Sequence, residues 1–305
     1  MEIRKKLLSI NKAMIKIFSS CGINRIYPAK VAYRRFIIPL LKTDFAEVDG
    51  HKMFLDSKDS LHLSVREAYE PLETELIKKE IKKGDTVLDI GANIGYYTLI
   101  FARLVGENGK VFAFEPDPTN FSLLKKNVEI NGYKNVILIQ KAVSNKSERL
   151  KLYLSKDNMG GHTICNPHNS RQSVEVEAIR LDDYFENYNG KIDFIKMDIE
   201  GAEGGAIQGM SNILKNNNVK IVSEFCPGGL KRFGIDSEEY LKLLIKFGFK
   251  LYEVSEREKK IKSVDIPKLL KIYTPRRNNF TNLLCVKEND LSIPLVDSSS
   301  FRFPS

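Results

Sequence analysis

Cysteine is scarce in this chain, and its spacing argues against two kinds of small stabilised domain. There are four cysteines among 305 residues: Cys21, Cys165, Cys226 and Cys285. Structural zinc sites and disulfide scaffolds use closer and more regular groups of cysteines. We therefore expect free thiols in a reducing compartment, which favours a cytoplasmic protein.

Long apolar runs are also absent. No segment reaches the ~18 consecutive apolar residues that a membrane-spanning helix needs. The apolar residues near the start of the chain are interrupted by Lys12 and Lys16, and no small-residue cleavage site follows, so we expect no signal peptide. With 42% hydrophobic and 29% charged residues, the composition predicts a soluble globular protein.

Excess charge is confined to one end of the chain. Residues 1–42 contain ten lysines and arginines and one acid, Glu2, which accounts for the whole net charge of +9. The remaining residues are balanced in charge and lack the overall basic bias that is typical of nucleic-acid-binding domains. We therefore do not expect a nucleic-acid partner.

The basic segment has a helical pattern. Apolar residues recur at spacings of four and three along one face: Ile3, Leu7, Ile10, Met14 and Ile17. One interpretation is an amphipathic helix in which residues 1–20 contact an anionic membrane surface. The other, which we favour, is a helix packed on the protein body with a solvated basic back. Both stay open, so the protein is either cytoplasmic or peripheral to a membrane.

The most informative stretch is residues 86–117. An apolar strand ends at Ile90, a loop holding Gly91 and Gly95 follows, a helix runs over 96–105, and a second strand ends at Glu115. Glycines allow the backbone to approach a ligand closely. The free N–H groups at the start of the helix face the loop. An acid after the second strand accepts hydrogen bonds from a ribose diol. The pattern predicts a site for a nucleoside-bearing ligand.

The loop sequence distinguishes two such ligands. A dinucleotide site would read GxGxxG, whereas this loop reads GANIG. The spacing Asp89-x-Gly91-x-x-x-Gly95 instead resembles the first motif of class I S-adenosylmethionine-dependent methyltransferases. The resemblance implies that the loop binds the methionine end of the cofactor and that an acid binds the ribose. It assigns six residues to cofactor binding: Asp89, Gly91, Asn93, Gly95, Glu115 and Pro116.

The rest of the chain alternates strands and helices. We expect a hairpin at Asp49-Gly50, antiparallel strands over 149–154 and 173–181 at the edge of the main sheet, and a lid or long loop between 256 and 281. The pattern divides the chain into four regions. They are a basic helical extension (1–45), a hairpin and helix (46–85), a core domain (86–287) and a tail (288–305).

Acidic residues crowd one strand end. Asp198, Glu200 and Glu203 follow the apolar strand over 192–199, at the edge of a parallel sheet where ligands bind. Acids also favour a helix N-terminus, which explains part of the cluster. Asp198, however, ends a buried strand, where an ionised carboxylate is costly without a partner. We therefore expect Asp198 to be functional.

A polar, Gly-rich connection over 157–170 contains two of the four histidines, His162 and His168. Loops of this length are often functional. A solvated surface position is the interpretation we favour for each histidine. The alternative is contact with a substrate, for which His162, beside Gly160 and Gly161, is the better candidate.

The combined segments VLDIGANIGYYT, FEPDP, KAVSN, IDFIKMDIEGAE and SEF resemble the FkbM-type methyltransferases over about residues 70–287. IKMDIEGAE is the most family-specific of them. The resemblance implies an α/β, Rossmann-like fold with seven mostly parallel strands and helices on both faces. It implies S-adenosylmethionine as the donor and O-methylation of a hydroxyl group on a sugar, glycolipid or natural product. It also implies that Ala142 and Val143 flank the adenine.

This chemistry needs a group that takes the hydroxyl proton. Asp198 is the first candidate and His162 the second. Alternatively, a divalent ion held by Asp198, Glu200 or Glu224 would lower the hydroxyl pKa.

Two other functions remain open. One is methylation of another acceptor, such as a small metabolite, a protein or RNA. The other is a non-catalytic nucleoside-binding module, which the joint presence of Gly91, Gly95, Glu115 and Asp198 disfavours.

Overall fold

A computed structural model describes residues 43–64, 68–156, 158–166, 171–277 and 279–287. The chain divides into two compact units between Tyr69 and Glu70. The predicted amphipathic helix over residues 1–20, His168 and the tail over 288–305 lie outside the described residues.

The first unit contains a β-hairpin. Its strands, β1 (Phe45–Val48) and β2 (His51–Phe54), pair antiparallel. Asp49 and Gly50 connect them with φ values of 49° and 78°. Two successive positive φ values are typical of the tight turn that Asp-Gly favours. The predicted hairpin is confirmed.

The second unit contains the remaining strands. They are β3 (Thr86–Ile90), β4 (Lys110–Phe114), β5 (Val136–Ile139), β6 (Ala142–Val143), β7 (Glu148–Tyr153), β8 (Ser173–Ile179), β9 (Phe194–Met197), β10 (Lys220–Phe225), β11 (Phe249–Ser255), β12 (Lys260–Ser263) and β13 (Thr281–Lys287). Eight of them form one sheet in the order β12-β11-β13-β10-β9-β3-β4-β5. Strands β10, β9, β3, β4 and β5 are parallel, and β13 is antiparallel to both of its neighbours.

The helices of this unit are α1 (Pro71–Glu80), α2 (Tyr96–Val105), α3 (Pro118–Ile130), α4 (Leu181–Tyr184), α5 (Glu203–Gly209), α6 (Ser211–Asn216), α7 (Pro227–Phe233), α8 (Ser237–Lys246) and α9 (Ile266–Ile272). All five residues of β3 are buried, as expected for a strand covered on both faces. The α/β, Rossmann-like prediction is confirmed. Among the helices described, none combines the length and apolarity needed to cross a bilayer.

The structure differs from the prediction between residues 256 and 281. We expected a lid or long loop, but β12 and α9 occupy this segment. Strand β12 pairs antiparallel with β11 and makes the sheet eight-stranded instead of seven-stranded. The sequence did not predict this strand, because Ile261 is its only buried residue and lysines lie on both sides of it.

The strands predicted at the edge of the main sheet were also wrongly placed. β7 and β8 pair antiparallel as expected, but with β6 they form a separate three-stranded sheet in the order β6-β8-β7. This small sheet has its own apolar cluster of Ala142, Leu152, Val176 and Ala178. The pairing of β8 with β6 therefore places β7 and β8 in this separate sheet. The sequence gives no clear signal for β6, because that strand is only two residues long.

Candidate functional site

The loop between β3 and α2 is shaped by residues in left-handed backbone conformations. Gly91, Asn93 and Gly95 have φ values of 85°, 50° and 95°. A Cβ atom on Gly91 would overlap the carbonyl oxygen of Asp198, and one on Gly95 would lie 2.7 Å from Leu124 Cδ1. From the sequence alone, these glycines are explained by the close approach of a ligand to the backbone. The structure adds a second reason, because the loop packs tightly against Asp198 and Leu124.

This loop presents polar groups that a ligand can use. Helix α2 has no side-chain cap at its N-terminus, so backbone N–H groups in its first turn are available. The side-chain oxygen Oδ1 of Asn93 is buried and has no hydrogen-bond partner among the described residues. An N-terminal helix end and an unpaired amide oxygen together suit the charged amino and carboxylate groups of an amino acid.

Glu115 is held rigidly at the end of β4. Its Oε2 accepts a hydrogen bond from the Asn93 N–H at 2.8 Å, and its Oε1 accepts one from the Asp117 N–H at 2.9 Å. Burial raises the pKa of Glu115 to about 8, although both N–H groups favour the ionised form. Each carboxylate oxygen accepts more than one hydrogen bond. The carboxylate is therefore fixed in place with capacity left for a diol.

Asp89 lies beneath the same loop. It is 2% exposed and accepts a hydrogen bond from the Thr98 hydroxyl, which ties β3 to α2. Burial raises the pKa of Asp89 to about 6. Its hydrogen bond to Thr98 makes it a support of the loop.

The remaining residues predicted to bind the cofactor, Pro116, Ala142 and Val143, are divided between a cavity and the core. Pro116 lines a cavity of about 280 Å³ together with Pro118, Gln140, Arg149, Glu175, Val176 and Glu177. Ala142 and Val143 are 4% and 2% exposed and pack into the apolar cores around β6. Pro116 is therefore placed where a ligand can reach it, whereas the side chains of Ala142 and Val143 are used in packing.

Asp198 follows β9 and lies directly beside the loop. Its N–H donates to the Ile90 carbonyl at 3.0 Å, which continues the parallel ladder between β3 and β9. Its side chain is 33% exposed, and Oδ2 lies 3.8 Å from Lys196 Nζ. The predicted functional carboxylate therefore has both access to solvent and a cationic neighbour.

Lys196 is a buried cation that the sequence interpretation missed. It is 1% exposed, and its Nζ lies 3.2 Å from Oε1 of Glu73 on α1 and 5.2 Å from the ring centroid of Tyr97 on α2. Burial alone would lower the pKa of Lys196, but the carboxylates of Glu73 and Asp198 raise it above its usual value. A lysine within the apolar strand FIKM was the available signal.

Three other acidic residues near Asp198 are Glu203, Glu200 and Glu224, and each has a different environment. Glu203 is fully buried, and its Oε1 accepts hydrogen bonds from the N–H groups of Ile199 at 3.0 Å and Gly201 at 3.2 Å, which shapes the turn after β9. Glu200 occupies a left-handed position with φ of 55°. Burial, with the nearby charges of Asp198 and Glu200, raises the pKa of Glu224 well above its usual value.

No three His, Cys, Asp or Glu side chains in the described ranges are positioned to hold a metal ion. The charges of Asp198 and Glu200 affect the pKa of Glu224. The side chains of these three candidate metal ligands are nevertheless not arranged to hold a metal ion.

Residues 158–166, which we call the strap, connect the loop side of the site to the acid side. The Met159 carbonyl accepts from Asn120 Nδ2 at 3.0 Å, and the Thr163 hydroxyl donates to the Glu200 carbonyl at 3.0 Å. His162 Nδ1 accepts from the Ser155 N–H at 3.0 Å. The strap therefore connects α3 to the turn that carries Glu200.

The ring orientation of His162 follows from these contacts. Because Nδ1 accepts a hydrogen bond, the neutral ring carries its proton on Nε2. That atom lies 3.9 Å from Oδ2 of Asp117, the residue that caps α3. His162 is 8% exposed in its side chain. The structure thus uses Nδ1 of His162 for a hydrogen bond within this part of the chain and points Nε2 towards the carboxylate of Asp117.

Known proteins share parts of this sequence. Hexuronic acid methyltransferase AglP of Haloferax volcanii is 28% identical over 171 residues, covering 55% of this chain and 65% of that protein. The 31-O-demethyl-FK506 methyltransferase FkbM of Streptomyces tacrolimicus is 25% identical over 162 residues, covering 44% of this chain and 62% of that protein. Each match thus spans slightly less than two thirds of the relative. A crystal structure of methyltransferase FkbM from Methylobacillus flagellatus KT is 16% identical with a TM-score of 0.41, covering 74% of this chain and 52% of that one.

A family model described as the methyltransferase FkbM domain matches residues 89–251, more than half of the chain. The matched range begins at Asp89 and contains the loop, Glu115, the strap and Asp198. Of these, the loop and Glu115 have a geometry that suits an amino acid joined to a nucleoside. The chain belongs to the FkbM family of S-adenosylmethionine-dependent methyltransferases.

Proposed function

We propose that this protein methylates a hydroxyl oxygen on a sugar, glycolipid or natural product. The observation that carries the proposal is the position of Asp198. Its side chain is partly exposed, and its own backbone carbonyl oxygen packs against Gly91 of the loop. A carboxylate beside the donor site is suited to accept the proton that a hydroxyl group loses on methylation.

The names of two relatives support this acceptor class. One is called a hexuronic acid methyltransferase and another a 31-O-demethyl-FK506 methyltransferase. The first name refers to a sugar acid and the second to an oxygen of a natural product. Both are consistent with an oxygen acceptor on a small molecule or glycan.

Residues of this chain fit S-adenosylmethionine. Asn93 and the uncapped start of α2 would hold its amino-acid end, Glu115 its ribose, and the cavity beside Pro116 its adenine. When bound, the cofactor supplies a methyl group activated by a positively charged sulfur. Positioning of the acceptor oxygen in line with that methyl group should then account for much of the rate.

Asp198 and Lys196 have complementary roles in this mechanism. Asp198 would orient the acceptor hydroxyl and take its proton as the oxygen–carbon bond forms. The ammonium of Lys196 lies 3.8 Å from Oδ2 of Asp198 and would help to hold this carboxylate in position. Glu73 balances the charge of Lys196, so that this cation is not buried without a partner.

The first prediction concerns Glu115 and pH. Because its pKa is raised to about 8, the carboxyl is mostly protonated at pH 6.5 and mostly ionised at pH 8.5. The ionised form accepts hydrogen bonds from a diol more strongly. S-adenosylmethionine affinity should therefore rise as the pH increases over this range. In Glu115→Gln it should be about 10-fold weaker at pH 8.5 and nearly independent of pH, as roughly one charged hydrogen bond is lost.

Calorimetric titration with S-adenosylmethionine at three pH values checks this result. Glu129→Gln is the matched control, because Glu129 is exposed near the end of α3. An equal pH slope in Glu115→Gln and the unchanged protein would show that another group titrates and would remove Glu115 from the ribose site.

The second prediction separates two roles for His162. Asparagine places an oxygen close to the position of Nδ1 and can accept from the Ser155 N–H. His162→Asn should therefore keep kcat within about threefold of the unchanged protein, whereas loss of a general base costs about 10²–10⁴-fold. Steady-state kinetics at saturating donor and acceptor measures this. A fall of 100-fold or more in His162→Asn, with cofactor affinity retained, would restore His162 as the base.

The proposed function is tested by transfer of labelled methyl groups into a host extract, with Asp198→Asn as control. Label in a glycan, glycolipid or small-molecule fraction that depends on Asp198 supports it. Label only in protein or RNA would transfer the activity to another acceptor class. Cofactor binding without label in any fraction would favour a non-catalytic module.

A further inference from the structure

Helix α1 begins without a cap from its own sequence. Its N-cap residue, Glu70, makes no side-chain hydrogen bond to the helix and has a left-handed backbone conformation with φ of 41°. Pro71 follows and has no N–H group, so the first N–H groups that need a partner belong to Leu72 and Glu73. Helix ends fray when such groups are not satisfied. The start of α1 therefore depends on a contact from elsewhere in the chain.

That contact comes from Glu256, which begins the turn between β11 and β12. Its Oε1 accepts a hydrogen bond from the Glu73 N–H at 2.8 Å, across 183 positions of the sequence. Helices α3 and α8 are capped by aspartates of their own sequence, Asp117 and Asp236. A carboxylate at a helix N-terminus is also favoured by the helix dipole. Glu256 therefore caps α1 from a distant part of the chain.

The capped turn carries the partner of Lys196. Glu73 is fully buried, and its Oε1 lies 3.2 Å from Lys196 Nζ, which in turn lies 3.8 Å from Oδ2 of Asp198. Glu73 thus contacts Glu256 through its backbone N–H and Lys196 through its side chain. Displacement of the first turn of α1 would move this carboxylate away from the buried ammonium that it balances. Both Glu73 and Glu256 lie outside residues 89–251, the range of the family match.

We propose that Glu256 is a positioning residue of the reaction centre, because its cap on α1 holds Glu73 against Lys196. Through Lys196 it would keep the carboxylate of Asp198 in the orientation that receives the acceptor proton. The inference rests on the proposed function for the role of Asp198. It adds to that function a residue that acts only through others. The turn between β11 and β12 is thereby connected to the chemistry.

Loss of the cap should separate turnover from cofactor affinity. In Glu256→Ala, kcat should fall about 10-fold, because a small displacement of an orienting group costs up to about 100-fold in rate. Helix α2 has its own connection to β3, between Thr98 and Asp89, so the affinity for S-adenosylmethionine should change little. Glu256→Gln keeps an oxygen that accepts the Glu73 N–H, and kcat should stay within about twofold. Steady-state kinetics with the fraction that the unchanged protein labels, and calorimetry, measure the two effects.

Two controls separate positioning from a general loss of stability. Glu258→Ala removes an exposed acid of the same turn. Glu80→Gln weakens the ion pair at the other end of α1, where Glu80 Oε2 lies 2.6 Å from Lys220 Nζ. Urea denaturation should show that Glu80→Gln destabilises the protein. Neither control should change kcat by more than about twofold, because neither residue contacts the capped turn of α1.

A second readout requires no acceptor. The Lys196 side chain is 1% exposed, whereas that of Lys242 is 67% exposed. An acylating reagent should therefore modify Lys196 only when the surrounding structure opens locally. Peptide mass spectrometry measures its rate of modification against that of Lys242. Glu256→Ala should raise this rate about 10-fold, and Glu256→Gln, Glu258→Ala and Glu80→Gln should leave it within about twofold.

The outcomes keep two failures apart. If the unchanged protein labels no acceptor, or labels only protein or RNA, the proposed function fails, and the modification rate of Lys196 still tests the contact. An unchanged modification rate in Glu256→Ala overturns the positioning role. So does an equal rise in Glu80→Gln at the same loss of stability. In an active protein, a kcat retained by Glu256→Ala, or not rescued by Glu256→Gln, overturns it as well.

Discussion

Asp198→Asn is expected to lower kcat by about 100-fold or more while leaving the affinity for S-adenosylmethionine within about threefold. Asparagine keeps the size and shape of the side chain but cannot accept the proton of a hydroxyl group. The backbone contacts of residue 198 are unaffected, because its N–H still donates to the Ile90 carbonyl. The loop between β3 and α2, which we propose holds the cofactor, should therefore keep its geometry.

This separation of turnover from binding is what identifies the role of Asp198. Single-turnover kinetics measures the methyl-transfer step, and calorimetry measures the cofactor affinity. Asp183→Asn is a suitable control, because Asp183 is more than half exposed and pairs with Arg180, three residues before it in the chain. Equal losses of turnover and cofactor affinity in Asp198→Asn would assign Asp198 to cofactor binding instead of acceptor chemistry.

Gly91→Ala is expected to abolish cofactor binding and to lower the free energy of unfolding by about 3 kcal/mol or more. An L-residue at a φ of 85° costs about 1–2 kcal/mol. The added methyl group would also overlap the Asp198 carbonyl oxygen, a backbone atom that cannot rotate away. Overpacking of this kind costs about 1–3 kcal/mol more. Relief of the overlap would separate the loop from Asp198.

Gly132→Ala is the matched control for this substitution. Gly132 also has a positive φ, 74°, but a Cβ atom there would meet no atom within 4 Å. It should therefore show the backbone cost alone, about 1 kcal/mol, and normal cofactor binding. Urea denaturation and titration with S-adenosylhomocysteine measure the two effects. Equal destabilisation by both substitutions would disprove the close-contact argument.

The parts of the site that could be predicted are those encoded by local sequence. The loop from Gly91 to Gly95, Glu115 at the end of β4 and Asp198 after β9 each follow an apolar strand, and parallel strands bring their ends to one edge. For the same reason the order of strands and helices was largely predictable. The hairpin at Asp49-Gly50 depends on only a few adjacent residues and was predictable too.

What could not be predicted depends on contacts between distant segments. The pairing of Lys196 with Glu73 joins β9 to α1, and no local pattern relates the two residues. The pairing of β6 with β8 buries Ala142 and Val143. His162 reads as a loop residue in the sequence, but its contacts with Ser155 and Asp117 place it inside the strap.

The ion pair between Glu73 and Lys196 also affects where the catalytic part of the chain can be cut. The segments that carry the family resemblance, and the whole range of the family match, lie after residue 85. A fragment beginning there would keep all of them but lose α1 and with it Glu73. Leaving one member of a buried ion pair without its partner costs about 3–5 kcal/mol, and here the unpaired ammonium would lie 3.8 Å from Oδ2 of Asp198. The smallest excised fragment that keeps this ion pair and the whole of α1 must therefore begin at or before Glu70, well upstream of the first residue of the family match.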